Sequence, residues 1–230
     1  MTDGRRPSVA SQALAVFAKD LTAEWRTRTT ITAVLLFSVT SLAVVGFAAG
    51  AAAMSAEVKA AMLWIVLFFA AFSGLANVWL HEEERGTTLL LRLHACPEAV
   101  YLGKLLVNLL TLAAVTSVVA PIYVAMADVR IASPGWFVSV LGAAGFSLAA
   151  AATVVGAMIA RANARSALYG AVGFPVLLPL LMVAAHGTAL CLDPAAPVTA
   201  LHGTVAGITA FGVGVVAASW LVFPYIWEDM

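Results

Sequence analysis

Six stretches of this chain run for twenty-one residues or more without a single Lys, Arg, Asp or Glu: 29–53, 60–80, 105–127, 133–160, 166–186 and 203–226. A helix needs roughly 20 apolar residues to cross about 30 Å of hydrocarbon. Lipid offers the backbone no hydrogen bonds, so a spanning segment must satisfy its own, as a helix or in a closed barrel. No stretch alternates with the period of two that barrel strands require. The predicted fold class is therefore an all-α membrane protein with six transmembrane helices, built as a single membrane domain over 1–230. Composition agrees: 63% of residues are hydrophobic and 10% charged, against about 25% charged in soluble domains. The polar-rich opening, 1–28, does not resemble a signal peptide.

Basic residues orient the chain. With six spans, the N-terminus, the loops at 81–104 and 161–165 and the C-terminus share one side. That side carries Arg5, Arg6, Lys19, Arg26, Arg28, Arg85, Arg92, Lys104, Arg161 and Arg165, and the other only Lys59 and Arg130. Lys and Arg accumulate on the cytoplasmic side of short loops, so both termini and loop 81–104 are placed in the cytoplasm. Cys191 is then accessible from outside and Cys96 is not. A disulfide between them is not expected.

Residues 9–28 precede the first span. Leu14, Phe17, Ala18, Leu21 and Trp25 recur at helical spacing on one face, with Lys19, Asp20 and Glu24 elsewhere. This pattern and its Trp–Arg ending suit a helix lying in the membrane interface, anchored by Leu14, Phe17, Leu21 and Trp25. A cytoplasmic helix packed on protein is the other reading of the same pattern.

The spans lack charge in their apolar cores, and intramembrane charges ordinarily mark ion sites and proton relays. That argues against an ion-coupled transporter and an intramembrane hydrolase. Asn77, Asn108, Thr111, Thr116 and Ser117 are read as helix–helix hydrogen-bonding groups. The Gly46/Gly50 and Gly203/Gly207 pairs have the spacing of close helix contacts. His81-Glu-Glu-Glu-Arg85 lacks the second histidine of a zinc protease motif, and Gly103-Lys104 ends no phosphate-binding loop. His186 and His202 flank the last external loop and are read as ordinary interfacial histidines rather than metal or haem ligands. A net charge of zero gives no sign of nucleic acid.

Loop 81–104 is longer than a helix–helix connection of about two to eight residues. Gly86 interrupts the second span's extension, and 87–95 can form a short helix presenting Leu89, Leu90, Leu91 and Leu93. Cys96-Pro97 ends that helix, and Lys104 is expected to anchor the third span at the headgroups. Leucines displayed beyond a span imply that a partner or the interface covers them.

Several stretches resemble one family: KDLTAEWRTRTTITAVLLFSVTSL at 19–42, LWI at 63–65, EERGTTLLLRLHACPEAVYLGKLLVNLL at 83–110, LGAAGF at 141–146, PVLLPLL at 175–181 and FPYIWED at 223–229. These are similar to the CcmB family, the membrane permease of the ABC-type haem exporter of bacterial cytochrome c maturation. The resemblance implies a type-2 ABC exporter-like fold in the bacterial inner membrane, with a coupling helix between spans two and three. It implies a CcmA-like ATPase partner, CcmC-like and CcmD-like membrane subunits, and a homodimer as one assembly. Haem would be substrate or cargo rather than a stably bound cofactor, and no catalytic or metal site is expected. The coupling element would comprise Glu83, Glu84, Arg85, Gly86, Leu89, Leu90, Leu93 and Pro97. The competing readings are a type-2 exporter subunit for another lipophilic substrate, and an assembly factor through which nothing crosses.

Overall fold

A computed structural model of the chain describes residues 8–27, 29–49, 54–75, 91, 93, 95–161 and 167–228. Among these there are seven helices and no strand: α1 (Val9–Thr27), α2 (Thr29–Ala49), α3 (Ala56–Leu75), α4 (Pro97–Met126), α5 (Pro134–Arg161), α6 (Ala167–Leu192) and α7 (Val198–Glu228). Three stretches of them, Pro97–Met126, Pro134–Met158 and Val198–Trp227, are long and apolar enough by themselves to cross a membrane. α1 and α2 meet at a bend of 66°. Gly50 of the Gly46/Gly50 pair and Asn77 lie outside the described residues.

Contacts between helix ends show that neighbours run in alternating directions. The start of α3 meets the end of α4 through Lys59, whose Nζ donates to the Asp128 carbonyl at 3.3 Å. The Cys191 carbonyl at the end of α6 accepts from the Ala132 and Ser133 amides just before α5, at 3.0 and 3.1 Å. At the opposite end of the bundle the Tyr101 and Phe223 rings, from the start of α4 and the end of α7, lie 5.4 Å apart.

α5 is the hub, packing against α3, α4, α6 and α7. Leu148, Ala149 and Ala150 on it are fully buried. Small side chains there let neighbours come close, and dispersion between close-packed atoms is what holds helices together in lipid. Three polar bonds fix the arrangement. Asn108 Nδ2 on α4 donates to Thr153 Oγ1 on α5 at 2.8 Å. Ser147 Oγ on α5 donates to the Ile208 carbonyl on α7, also at 2.8 Å. Trp64 Nε1 on α3 donates to Thr188 Oγ1 on α6 at 2.8 Å. Such bonds contribute about 0.6 kcal/mol each inside membranes, so they set register more than overall stability. The helix-bonding role expected of Asn108 is realised, and Ser117 instead bonds back to Ala114 in its own helix.

The close-approach glycines differ from those the GxxxG spacing selects. A Cβ on Gly203 or Gly207 would meet nothing within 4 Å, whereas one on Gly187 would lie 2.6 Å from Thr204, and one on Gly212 would run into Ser147 and Phe146. The spacing finds glycines on one helix face. Only packing decides whether that face is the buried one.

Two further expectations are corrected. Cys191 is fully buried, because its helix end is clamped by the α4–α5 loop, so it is a poor target for a thiol reagent from either side. Lys104 is buried as well, enclosed by protein rather than presented on the surface.

The α4–α5 loop turns at Asp128, whose φ is 46°. A left-handed conformation costs an L-residue about 1–2 kcal/mol, and Asp, Asn and Gly tolerate it best. Asp128→Val is accordingly expected to destabilise the protein by about 1–2 kcal/mol, and Asp128→Gly to be neutral or mildly stabilising. Thermal unfolding in detergent micelles measures both; equal melting temperatures for the two variants would refute the strain.

Candidate functional site

The best-built polar site lies where α1 crosses the start of α4. Cys96 is extended (φ −74°, ψ 151°) and caps α4, and Pro97 follows at its first turn. Proline suits that position because its fixed φ matches the helix and its missing N–H would have no helical partner. Glu98 places a carboxylate in the same turn, where the helix dipole favours negative charge. The Ala95 amide donates to the Leu91 carbonyl at 2.9 Å, a helical turn just before the cap.

α1 is fastened to this corner at three levels. Gln12 Oε1 accepts the Cys96 amide at 2.9 Å, tying the first turns of α1 to the chain entering α4. One turn on, Gly103 lies so close that a Cβ there would be 2.7 Å from Val16 and 2.9 Å from the Ala13 carbonyl. Further along, Lys104 Nζ meets Asp20 Oδ2 at 2.8 Å, with the lysine side chain 1% and the aspartate 9% exposed. Lys19 Nζ lies 3.2 Å from the other Asp20 oxygen and is itself 45% exposed. Ala13, Val16 and Asp20 thus form one stripe of α1 turned to the protein. At the far end Glu24 Oε1 accepts the Ile31 amide at 3.1 Å, capping α2 and joining it to the same unit.

The predicted interfacial residues occupy other faces. Leu14 and Trp25 are 59% and 71% exposed, and Phe17 and Leu21 are half-buried. α1 therefore packs on protein along one stripe while presenting apolar side chains outward along another. Beside it a groove of about 320 Å³ opens between Ser11, Gln12 and Ala15 of α1 and Leu91 and Ala95. Leu91 is half-buried against the core, and Leu93 is 72% exposed. Of the predicted coupling residues, Leu93 and Pro97 border this corner, while Glu83, Glu84, Arg85, Gly86, Leu89 and Leu90 lie outside the described residues.

Sequence reasoning missed Gln12, Asp20, Gly103 and Lys104 as a unit. The spacing between Asp20 and Lys104 is too long for any local pattern to reveal. The only hint was a lysine directly preceding a charge-free span. Among the described residues no three His, Cys, Asp or Glu side chains cluster as a metal site would. His186 and His202 are exposed, the latter with its ring 6.2 Å from Trp136.

Among the described residues an all-helical bundle with three span-length apolar helices defines the class: a polytopic membrane protein. The family profile described as CcmB protein matches residues 11–225, nearly the whole sequence, and the chain belongs to the CcmB family. Membership associates it with the ABC-type haem-export system of cytochrome c maturation, as a transporter membrane component working with other Ccm subunits. No curated protein and no solved structure matches it.

The buried ion pair yields an asymmetric prediction. Removing one partner of a buried pair costs about 3–5 kcal/mol, while replacing both with apolar groups is often neutral. Asp20→Leu removes the carboxylate 2.8 Å from a buried ammonium and is expected to cost about 3 kcal/mol. Lys104→Met should cost less, since Lys19 still faces the carboxylate. The double variant should recover most of the loss in a thermal-unfolding cycle; additive losses would refute the coupling.

Proposed function

We propose that this chain is the permease subunit of an ABC-type haem exporter, with six spans, cytoplasmic termini and a coupling element at 83–97 that receives a partner ATPase. α2 to α7 are the six spans, and the α1 corner lies at the cytoplasmic face. The observation that carries the reading is the exposed Leu93 beside a groove whose walls are fastened to α1 and α4. A leucine removed from water gains about 1.5–3 kcal/mol, so a row of them suits a docking element. A push delivered at 83–97 reaches α4 through Cys96 and Pro97. It reaches α1 through Gln12, Val16 and Asp20, because those contacts leave no slack between the two helices. ATP binding and hydrolysis belong to the partner, and the work is haem export or release of a haem-loaded chaperone.

Replacing Leu90 and Leu93 with aspartate tests docking. The variant is expected to insert normally but to lose copurification with the ATPase by at least tenfold and to fail in cytochrome c maturation. Full copurification would overturn the assignment.

Orientation has its own test, with the buried Cys191 replaced as the reporter. Ala195 lies exposed in the α6–α7 loop. In an otherwise cysteine-free chain, Ala195→Cys is expected to react with an impermeant maleimide added to intact cells, and a cysteine at Leu93 only after permeabilisation. The reverse pattern would invert the topology.

A further inference from the structure

α7 meets the bundle along one stripe: Ile208, Gly212, Ser219, Phe223 and Trp227 are buried, while Val213, Leu221 and Tyr225 are exposed. The buried positions recur at the four- and seven-residue intervals of a single helical face. That stripe has two parts with different partners. The middle of α7 is held by α5, where Ser147 Oγ donates to the Ile208 carbonyl and a Cβ on Gly212 would run into Ser147 and Phe146. The end of α7 is held by α4. There the Phe223 ring lies 5.4 Å from the Tyr101 ring, tilted by 47°, and stacks on Trp227 at 5.8 Å. All three rings are buried, and rings at such spacing attract beyond the area they cover. α4 divides in the same way. Asn108 is tied to Thr153 of α5, whereas Tyr101, roughly two turns earlier, faces α7, and Gly103 and Lys104 face α1.

We propose that Tyr101, Phe223 and Trp227 are positioning residues: they make the end of α7 follow the start of α4 when a coupling element at 83–97 is pushed. α7 then bends at Pro224 while its middle stays on α5. This deepens the coupling role proposed above and rests on it. Continuity is the first argument. Tyr101 lies about one turn past Pro97, between the Cys96 amide that Gln12 binds and the Gly103–Lys104 contacts with α1. A displacement entering α4 at its first turn therefore arrives at Tyr101 before it reaches the tie at Asn108. Packing is the second. Tyr101 and its neighbours Ala99 and Val100 are fully buried. In an interior packed without voids, one ring cannot move far unless the ring against it moves too.

The place of the proline is the third argument. Pro224 stands inside α7, directly after Phe223 and three residues before Trp227. It has no N–H to give to the carbonyl one turn back, and its ring crowds that carbonyl, so a helix bends most readily there. The stack with α4 thus sits where α7 yields, and the ties to α5 sit where it does not. α5 holds both helices at points further along, through Asn108 of α4 and Ile208 of α7. It serves as the fixed body against which the start of α4 and the end of α7 move together. Chains of packed side chains are one physical carrier of coupling between distant parts of a protein.

Fluorine NMR of the full chain in complex with its partner ATPase, with 5-fluorotryptophan at position 227 alone, tests this. The resonance is expected to shift between the nucleotide-free complex and one trapped with ATP and vanadate. Tyr101→Phe keeps the ring and should keep the shift. Tyr101→Leu removes the ring and should abolish the shift while the ATPase still copurifies, with cytochrome c maturation falling about tenfold. Pro224→Ala restores the backbone bond and gains helix propensity, so it should fold at least as stably and still lose most of the shift. A resonance that trapping leaves unmoved in the unaltered complex overturns the proposal. So does an undiminished shift in Tyr101→Leu or Pro224→Ala, which would leave the rings a packing role alone. Failure of the unaltered chain to copurify with an ATPase would instead overturn the coupling reading beneath it.

Discussion

A buried ammonium is among the least tolerable groups a protein can carry, and Lys104 exists inside this one because Asp20 is 2.8 Å away. Desolvating an ion costs several kcal/mol even after relaxation, and only close opposite charge returns it. The pair therefore fixes α1 against α4 at one rotation and one height. Every other contact at this corner follows from that placement: Val16 over Gly103, Gln12 under the Cys96 amide, Glu24 at the start of α2. An apolar seam alone would let α1 slide, since lipid competes with protein for apolar side chains.

The bundle behind that corner obeys a different rule. Within lipid, packing and a few hydrogen bonds replace the hydrophobic effect as the source of specificity. α5 meets this with alanines at its centre and with Ser147 and Thr153 bonded to two different helices, α7 and α4. Gly187 and Gly212 remove the side chains that would hold α6 and α7 away. The two ends of the molecule are thereby specialised. One is pinned by charge, while the other leaves an open apolar groove between α4 and α5.

A coupling element at 83–97 would act through a corner that is fastened at three levels. α1 carries both kinds of character, with a stripe locked to protein and an outward row including Leu14 and Trp25. The locked stripe matches one of the two sequence readings of its amphipathic pattern, a helix packed on protein.

The sequence by itself determined the all-helical membrane class and the family. Long charge-free runs admit few other structures in lipid. Local chemistry of that kind needs no partner from elsewhere in the chain. Tertiary structure alone decided which glycines touch, that Cys191 is buried, and that Lys104 faces Asp20 rather than headgroups. In helices apolar on every side, no periodicity marks the inward face. The pairing of Asp20 with Lys104 joins residues 84 positions apart, and a distance that long is fixed only when the helices pack.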